Sequence, residues 1–110
     1  MPTADADKFE RAIPVDELPA DGGAIVEIGS RIIAIFEHEG EVHAVQNTCP
    51  HAGGSLADGT RDGTLVRCPR HSWGFDVASG ACQTDPRYQL LQYEVRVADD
   101  WVLVGVPDDS

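Results

Sequence analysis

Hydrophobic and polar positions alternate over several short segments of the chain, which is the pattern of strands with one buried face. Val95 and Val97, for example, flank the charged Arg96. Glycine, serine or aspartate stands between neighbouring segments, and these residues favour tight turns. The predicted strands are 24–29, 31–38, 41–46, 65–68, 88–98 and 101–106, with turns at 29–30, at Gly40 and at 99–100.

Helix signals are weak along the whole sequence. Only residues 15–18, which follow Pro14, carry the proline and acidic residues expected at a helix start, and they suffice for a single turn. We therefore expect an all-β domain, a small antiparallel sandwich or barrel of short strands. Segments 47–64 and 69–87 are richer in Gly, Pro, Asp and Ser, so they are predicted to be two long, functional loops projecting from a sheet.

The length of 110 residues fits one domain, 1–110, whose functional part is expected at about 47–87. Apolar runs stay well short of the roughly 18 residues of a membrane span, and the acidic N-terminus lacks the apolar region of a signal peptide. These features predict a soluble cytoplasmic protein. The three cysteines cannot complete a disulfide framework, and Cys82 is predicted to be a small buried residue.

The charge is strongly acidic and unevenly distributed. The formal net charge is −11, yet residues 48–90 contain four acidic and four arginine side chains and are neutral. All the excess negative charge therefore lies in residues 1–47 and 91–110. Nucleic acids and anionic membranes are poor partners for such a surface, whereas a basic protein partner fits it.

Two short Cys-His pairs carry the candidate chemistry. Cys49 and His51 lie one residue apart, and Cys68 and His71 follow at a similar spacing, with a proline after each cysteine. Two thiolates and two imidazoles form a soft ligand set that suits zinc or an iron–sulfur centre rather than magnesium or calcium. A Cys-x-His pair is unusual for structural zinc, but the spacing alone leaves both metals open. The other histidines, His38 and His43, are expected to be solvent-facing strand residues.

The run CPHAGGSLADGTRDGTLVRCPRHSWGFDVASG resembles the cluster-binding signature of Rieske [2Fe–2S] proteins, and the flanking segments are similar to the strands of Rieske ferredoxins. The resemblance implies the Rieske fold, with two cluster-binding loops at one tip. It implies one [2Fe–2S] cluster, in which Cys49 and Cys68 hold one iron and His51 and His71 hold the other.

The resemblance also bears on the reduction potential. High-potential members carry a disulfide cysteine in each loop, where this chain has Gly54 and Arg70. They also place hydroxyl donors near the cluster sulfurs, at positions that read Trp73 and Phe75 here. Fewer hydrogen bonds to the sulfurs stabilise the reduced state less, so we expect a potential at the low end of the Rieske range. Apolar shielding of the cluster is assigned to Leu56 and Trp73, and Pro86 stiffens a segment similar to the loop that covers the cluster in the family.

By resemblance, the protein is a ferredoxin that carries one electron from a flavin-dependent NAD(P)H reductase to a terminal Rieske non-heme iron dioxygenase, as in aromatic hydrocarbon catabolism. Its contacts with both partners are expected to be transient. The sequence has neither a dinucleotide fingerprint nor room for a mononuclear iron domain, so the chain is predicted to be an electron-transfer component and not an enzyme. Two alternatives remain open: the Rieske-like small subunit of an assimilatory nitrite reductase, and a zinc-stabilised interaction module.

Overall fold

The computed structural model describes residues 6–19, 22–50, 53–70 and 73–107. Within these ranges the chain forms ten strands and two short 3₁₀ helices, Val15–Glu17 and Leu56–Asp58. The strands are β1 (Lys8–Pro14), β2 (Ala24–Ile28), β3 (Arg31–His38), β4 (Glu41–Gln46), β5 (Thr60–Asp62), β6 (Leu65–Arg67), β7 (Gly74–Asp76), β8 (Gln92–Tyr93), β9 (Val95–Ala98) and β10 (Trp101–Val106).

The strands of the described residues form three sheets, and every strand pair is antiparallel. One sheet has the order β2-β3-β4-β8, a second has the order β1-β10-β9, and a third has the order β5-β6-β7. The predicted all-β antiparallel fold is confirmed. No helix in the described part of the chain is long and apolar enough to cross a membrane.

Strand β3 separates two hydrophobic cores because its side chains alternate between the two faces of the sheet. Ala34 and Phe36 face the first, cysteine-containing core, and Ile33 and Ile35 face the second, cysteine-free core. The remaining members of the cysteine-containing core are Val45, Cys49, Leu56, Ala57, Val66, Cys68, Phe75, Val77, Cys82 and Leu90. Those of the cysteine-free core are Ile28, Ala44, Tyr93, Val102, Val104 and Val106.

The hairpin turns lie where the sequence places them. Glu39 and Gly40 adopt φ values of 52° and 82° between β3 and β4, and Asp99 and Asp100 adopt 54° and 64° between β9 and β10. Two successive positive φ values give a turn whose twist matches that of the flanking strands. The single helical turn predicted after Pro14 is the first 3₁₀ helix.

The segment 88–98 is not the single strand that the sequence predicts. Its first paired part, β8, joins β4, and its second part, β9, joins β10 in a different sheet. The chain changes sheets at Glu94, whose carbonyl accepts the backbone N–H of Gly105 at 2.8 Å. Alternation is the same on both sides of this point, so it does not specify which strand each half will pair with.

The predicted loops 47–64 and 69–87 also contain regular structure. Strands β5 and β7 and the second 3₁₀ helix lie within them. Both strands are only three residues long and each ends in an aspartate, so they are too short for a period of two to be visible. Periodicity likewise did not predict β1.

Candidate metal centre

The two predicted cysteine ligands lie just after the ends of two strands that belong to different sheets. Cys49 lies three residues after the end of β4, and Cys68 comes immediately after β6. Neither forms a disulfide, their exposures are only 2% and 1%, and both belong to the cysteine-containing core. The fold thus brings together in one core two residues that are far apart in sequence.

Each cysteine closes its loop with the same backbone hydrogen bond. The N–H of Cys49 donates to the carbonyl of Gly54, and the N–H of Cys68 donates to the carbonyl of Trp73, both at 2.9 Å. In each case the acceptor is five residues further along the chain. The loops that begin at Cys49 and Cys68 therefore share this hydrogen bond as well as a Cys-Pro sequence.

Gly54 connects the two loops. Its carbonyl holds the N–H of Cys49, and a Cβ atom at this position would lie 2.9 Å from Sγ of Cys68 and 3.2 Å from Cγ of Arg70. Only a residue without a side chain permits so close an approach. Gly54 is thus the point at which the first loop contacts the thiol of the second.

Asn47 anchors the first loop, a role that the sequence analysis missed. It is the one buried polar residue of the described chain, at 6% exposure. Its side-chain oxygen accepts the N–H of Ala57 at 3.0 Å, and its side-chain amide donates to Oγ of Ser55 at 3.0 Å. Its backbone N–H donates to the carbonyl of Ile32, and its carbonyl accepts the N–H of Leu56. An Asn between the end of a buried strand and a candidate ligand was the available signal.

The surroundings of the cysteines are apolar. Leu56, predicted to shield the centre, is fully buried in the same core. Trp73 is half-buried against that core, and its ring packs edge-to-face with Tyr88 at a centroid distance of 5.3 Å and an angle of 79°. Phe75 is fully buried. These side chains exclude water from the thiols, which strengthens the electrostatic interactions around them.

The segment that contains Pro86 is tied to the same core through Cys82. Sγ of Cys82 accepts the backbone N–H of Asp85 at 3.3 Å, and the N–H of Cys82 donates to the carbonyl of Tyr88 at 3.3 Å. Cys82 is 6% exposed, so its predicted role as a small buried residue is confirmed. Pro86 lies exposed at the tip of this segment.

His51 and His71, the predicted imidazole ligands, lie outside the described residues. Of the other two histidines, His38 has a side chain that is 38% exposed. The expectation that His43 faces solvent is wrong: its side chain is 18% exposed and its Nε2 atom is inaccessible. His43 lies opposite Phe36 in the strand register, so its side chain is on the face of β4 that borders the cysteine-containing core. Within the described ranges no group of three or more His, Cys, Asp or Glu side chains could hold a metal.

The described part of the site fits an iron–sulfur cluster of mixed ligation. Such a cluster takes two cysteine sulfurs on one iron, and the protein supplies two buried, free thiols on two loops that meet at Gly54. The apolar surroundings and the close backbone approach suit a bulky, low-charge group.

Comparison with known proteins identifies the family. Residues 9–94 match the Rieske [2Fe-2S] domain. The chain belongs to this family. A Rieske-type [2Fe–2S] cluster is accordingly its cofactor, which removes the ground for the zinc alternative.

The relatives of this Rieske protein include free-standing ferredoxins. It is 29% identical over 101 residues to the ferredoxin component of a naphthalene 1,2-dioxygenase system from Pseudomonas aeruginosa, covering 91% of this chain and 97% of the relative. It is 35% identical over 98 residues to the biphenyl dioxygenase ferredoxin subunit of Pseudomonas sp. strain KKS102, covering 87% and 90%. The protein is therefore an electron carrier rather than a catalytic component.

Solved structures agree with this fold. A ferredoxin of Sphingomonas yanoikuyae B1 superimposes with a TM-score of 0.84 and 30% identity, covering 91% of this chain and all of that one. The ferredoxin family also includes a structure solved in complex with its oxygenase, that of carbazole 1,9a-dioxygenase, with a TM-score of 0.80, 26% identity, and coverage of 88% and 92%. A Mycobacterium tuberculosis protein described as an NADH-dependent nitrite reductase small subunit has a TM-score of 0.81, 27% identity, and coverage of 91% and 96%.

Proposed function

We propose that the protein is the ferredoxin component of a Rieske non-heme iron oxygenase system. It would accept one electron from a flavin-dependent NAD(P)H reductase and pass it to the terminal oxygenase. The observation that carries the proposal is the likeness to two relatives named as ferredoxin components of dioxygenase systems, at 29% and 35% identity. One ferredoxin of this fold has been solved in complex with an oxygenase.

In this proposal Cys49 and Cys68 hold one iron, and His51 and His71 hold the other. The burial of both thiols and the contact between their loops at Gly54 support the cysteine half of the set. The Cys-x-His and Cys-x2-His spacing supports the histidine half. When bound, a cluster of this ligation gains and loses one electron at a potential between about −150 and +300 mV.

The chain's own residues prepare the site for that role. Asn47 fixes the path of the first loop, and the Trp73–Tyr88 ring pair packs against the core that holds the thiols. A rigid site keeps the ligands in nearly the same positions in both oxidation states, which lowers the cost of reorganisation when an electron is exchanged. The region 1–110 would act as one domain with its cluster-binding part at about 47–87.

We place the protein in the cytoplasm, because its three cysteines are free and buried and a reducing compartment keeps such thiols available for a metal. A reductase is proposed as the electron donor because a carrier that delivers electrons to an oxygenase must itself be reduced.

A nitrite reductase small subunit is a second candidate, favoured by the structural match to the Mycobacterium tuberculosis protein. There the Rieske domain would be a fixed component rather than a diffusing carrier. The two functions differ in the partner: an oxygenase in one case, a flavin- and siroheme-containing reductase subunit in the other.

The test uses the cluster-loaded protein and partners recovered from the source cells by affinity capture. We expect two irons and two sulfides per chain, reduction by an NAD(P)H-dependent flavoprotein, and electron delivery to an oxygenase that slows as salt is raised, since charge steers such encounters. Stable capture of a siroheme-containing subunit in place of an oxygenase would transfer the assignment to nitrite reduction. A colourless protein with stoichiometric zinc would overturn both functions.

A further inference from the structure

Arg70 differs from every other arginine in the part of the chain that the structure describes. It is exposed in the second loop, and its guanidinium has neither a hydrogen bond nor an ion pair with any described residue. Arg67 is engaged with other groups. The other five each have a defined partner: Arg11 lies over Trp101, Arg31 over Tyr93 and Arg96 over Phe9, Arg61 donates to the carbonyls of Glu37 and Gly63, and Arg87 pairs with Asp85 at 2.7 Å.

The aliphatic part of Arg70 is nevertheless held in place. The Cβ position of Gly54 lies 3.2 Å from Cγ of Arg70 and 3.5 Å from its Cδ, beside Sγ of Cys68 at 2.9 Å. The side chain thus crosses from the second loop to the first next to a proposed ligand sulfur. Long cationic side chains pack their methylene groups in this way and leave the charge in water.

By the family resemblance, Gly54 and Arg70 stand at the positions where high-potential Rieske proteins carry two cysteines joined in a disulfide. In this chain the two positions are still in contact, because the methylene groups of Arg70 pack against Gly54. The exchange replaces a neutral covalent link by a contact that carries a positive charge, and this charge lies where the two loops meet.

The charge stands out because of its surroundings. The neighbouring prolines Pro50 and Pro69 are exposed and uncharged, and residues 48–90 are neutral overall within a chain of net charge −11. A cation at the loops that pairs with no described residue and an anionic remainder give the molecule a strong charge asymmetry.

We propose that Arg70 is a docking residue of the electron-transfer face, and that the partner presents a carboxylate to it beside its electron entry site. This inference rests on the proposed function. Arginine binds carboxylates through two parallel hydrogen bonds and is enriched among residues that dominate binding energy. The acidic remainder repels the same carboxylate, so it turns the loops toward the partner. The net charge predicts a basic partner. Such basic groups would face the acidic remainder of the protein, whereas the group that contacts the loops would be a carboxylate.

The test compares Arg70→Gln with Arg11→Gln. Both variants lose one positive charge. Arg70 lies in the loop between β6 and β7, whereas Arg11 lies on β1, in the sheet β1-β10-β9. Glutamine keeps Cγ and Cδ, so the packing on Gly54 is retained. The reduced proteins are oxidised by ferricyanide and, separately, by hexaamminecobalt(III), and the midpoint potential of each variant is measured to correct for driving force.

At low ionic strength Arg70→Gln should slow the anionic oxidant by about three- to fivefold and accelerate the cationic one by a similar factor, and both effects should vanish at high salt. Arg11→Gln should change neither rate beyond about 1.5-fold. Equal rates for the two variants would overturn the placement of the charge at the electron-transfer face.

The second measurement is the dissociation constant of the complex with the captured oxygenase. We expect Arg70→Gln to weaken it about tenfold and Arg70→Lys to restore it only in part, since lysine cannot form two parallel hydrogen bonds. Unchanged affinity in Arg70→Gln would overturn the docking role. If the unaltered protein binds no oxygenase, the proposed function fails, and the same variants tested against the captured partner decide the role of Arg70 independently.

Discussion

Asn47 and Ala57 are joined by a hydrogen bond in which the buried backbone N–H of Ala57 donates to the side-chain oxygen of Asn47 at 3.0 Å. This bond ties the end of β4 to the second 3₁₀ helix across the first loop. It fixes the segment that contains Cys49 from both ends.

Replacing Asn47 by Ala should destabilise the protein by about 1–3 kcal/mol, because it leaves a buried N–H without an acceptor. Denaturant unfolding of the cluster-loaded protein measures this cost, and bleaching of the visible absorption under mild denaturant measures the loosening of the loop. Thr48→Ala, at an exposed neighbouring position, serves as the control and should change stability by less than about 0.5 kcal/mol. Equal effects of the two substitutions would contradict the anchoring role.

Gly53 and Gly54 are predicted to respond differently to the same substitution. Gly53 has a φ of 74° and open space around its Cβ position, whereas a Cβ on Gly54 would meet Sγ of Cys68 at 2.9 Å. Asn tolerates positive φ, so Gly53→Asn should retain the cluster and Gly54→Asn should lose most of it. Iron and sulfide content after identical reconstitution gives the comparison, and full occupancy in Gly54→Asn would show that the close contact is not required.

The three cysteines are expected to separate into two classes. Cys49→Ser and Cys68→Ser should abolish the visible absorption of the cluster, because both remove a proposed thiolate ligand. Cys82→Ala should keep the spectrum and the iron content, at a cost of about 1–2 kcal/mol for the lost sulfur packing and for the lost hydrogen bond from Asp85. Loss of the cluster in Cys82→Ala, with the fold intact by circular dichroism, would count against this division.

The midpoint potential is expected below about 0 mV, toward the lower part of the Rieske range. The family resemblance implies that Gly54, Arg70, Trp73 and Phe75 stand where high-potential members have disulfide cysteines and hydroxyl donors. Fully buried Phe75 offers no hydroxyl in place of such a donor. Protein-film voltammetry measures the potential directly, and a value well above 0 mV would refute the prediction.

Most of the sheet framework could be predicted from the sequence. The alternation in 31–38 and 101–106 and the turn residues Gly40 and Asp99 determine hairpins whose strands are neighbours in the chain. The change of sheets at Glu94 could not be predicted from the sequence, because alternation with a period of two indicates which face of a strand is buried and not which strand it pairs with.

The candidate site, like the sheets, could be predicted from the sequence only in part. Cys49 and Cys68 could be proposed as ligands from their spacing, since metal ligands in pairs leave a pattern in the sequence. The anchoring role of Asn47 could not be predicted, because it depends on contacts made in the fold, such as the one with Ile32. At Gly54 the residue type favours a close backbone approach, but the contact with Sγ of Cys68 could not be predicted. The partial burial of His43 was missed because a polar residue in a strand was assigned to the solvent-facing side.

The two hydrophobic cores on either side of β3 bear on the order in which the protein is assembled. Every described cysteine lies in one core, whereas the other is closed by Ile33, Ile35 and the valines of β10 without any metal ligand. We therefore expect β3 and β4 to keep their register in protein that lacks the cluster, because the cysteine-free core contains no proposed metal ligand. The cysteine-containing core would become fully ordered only when the cluster binds.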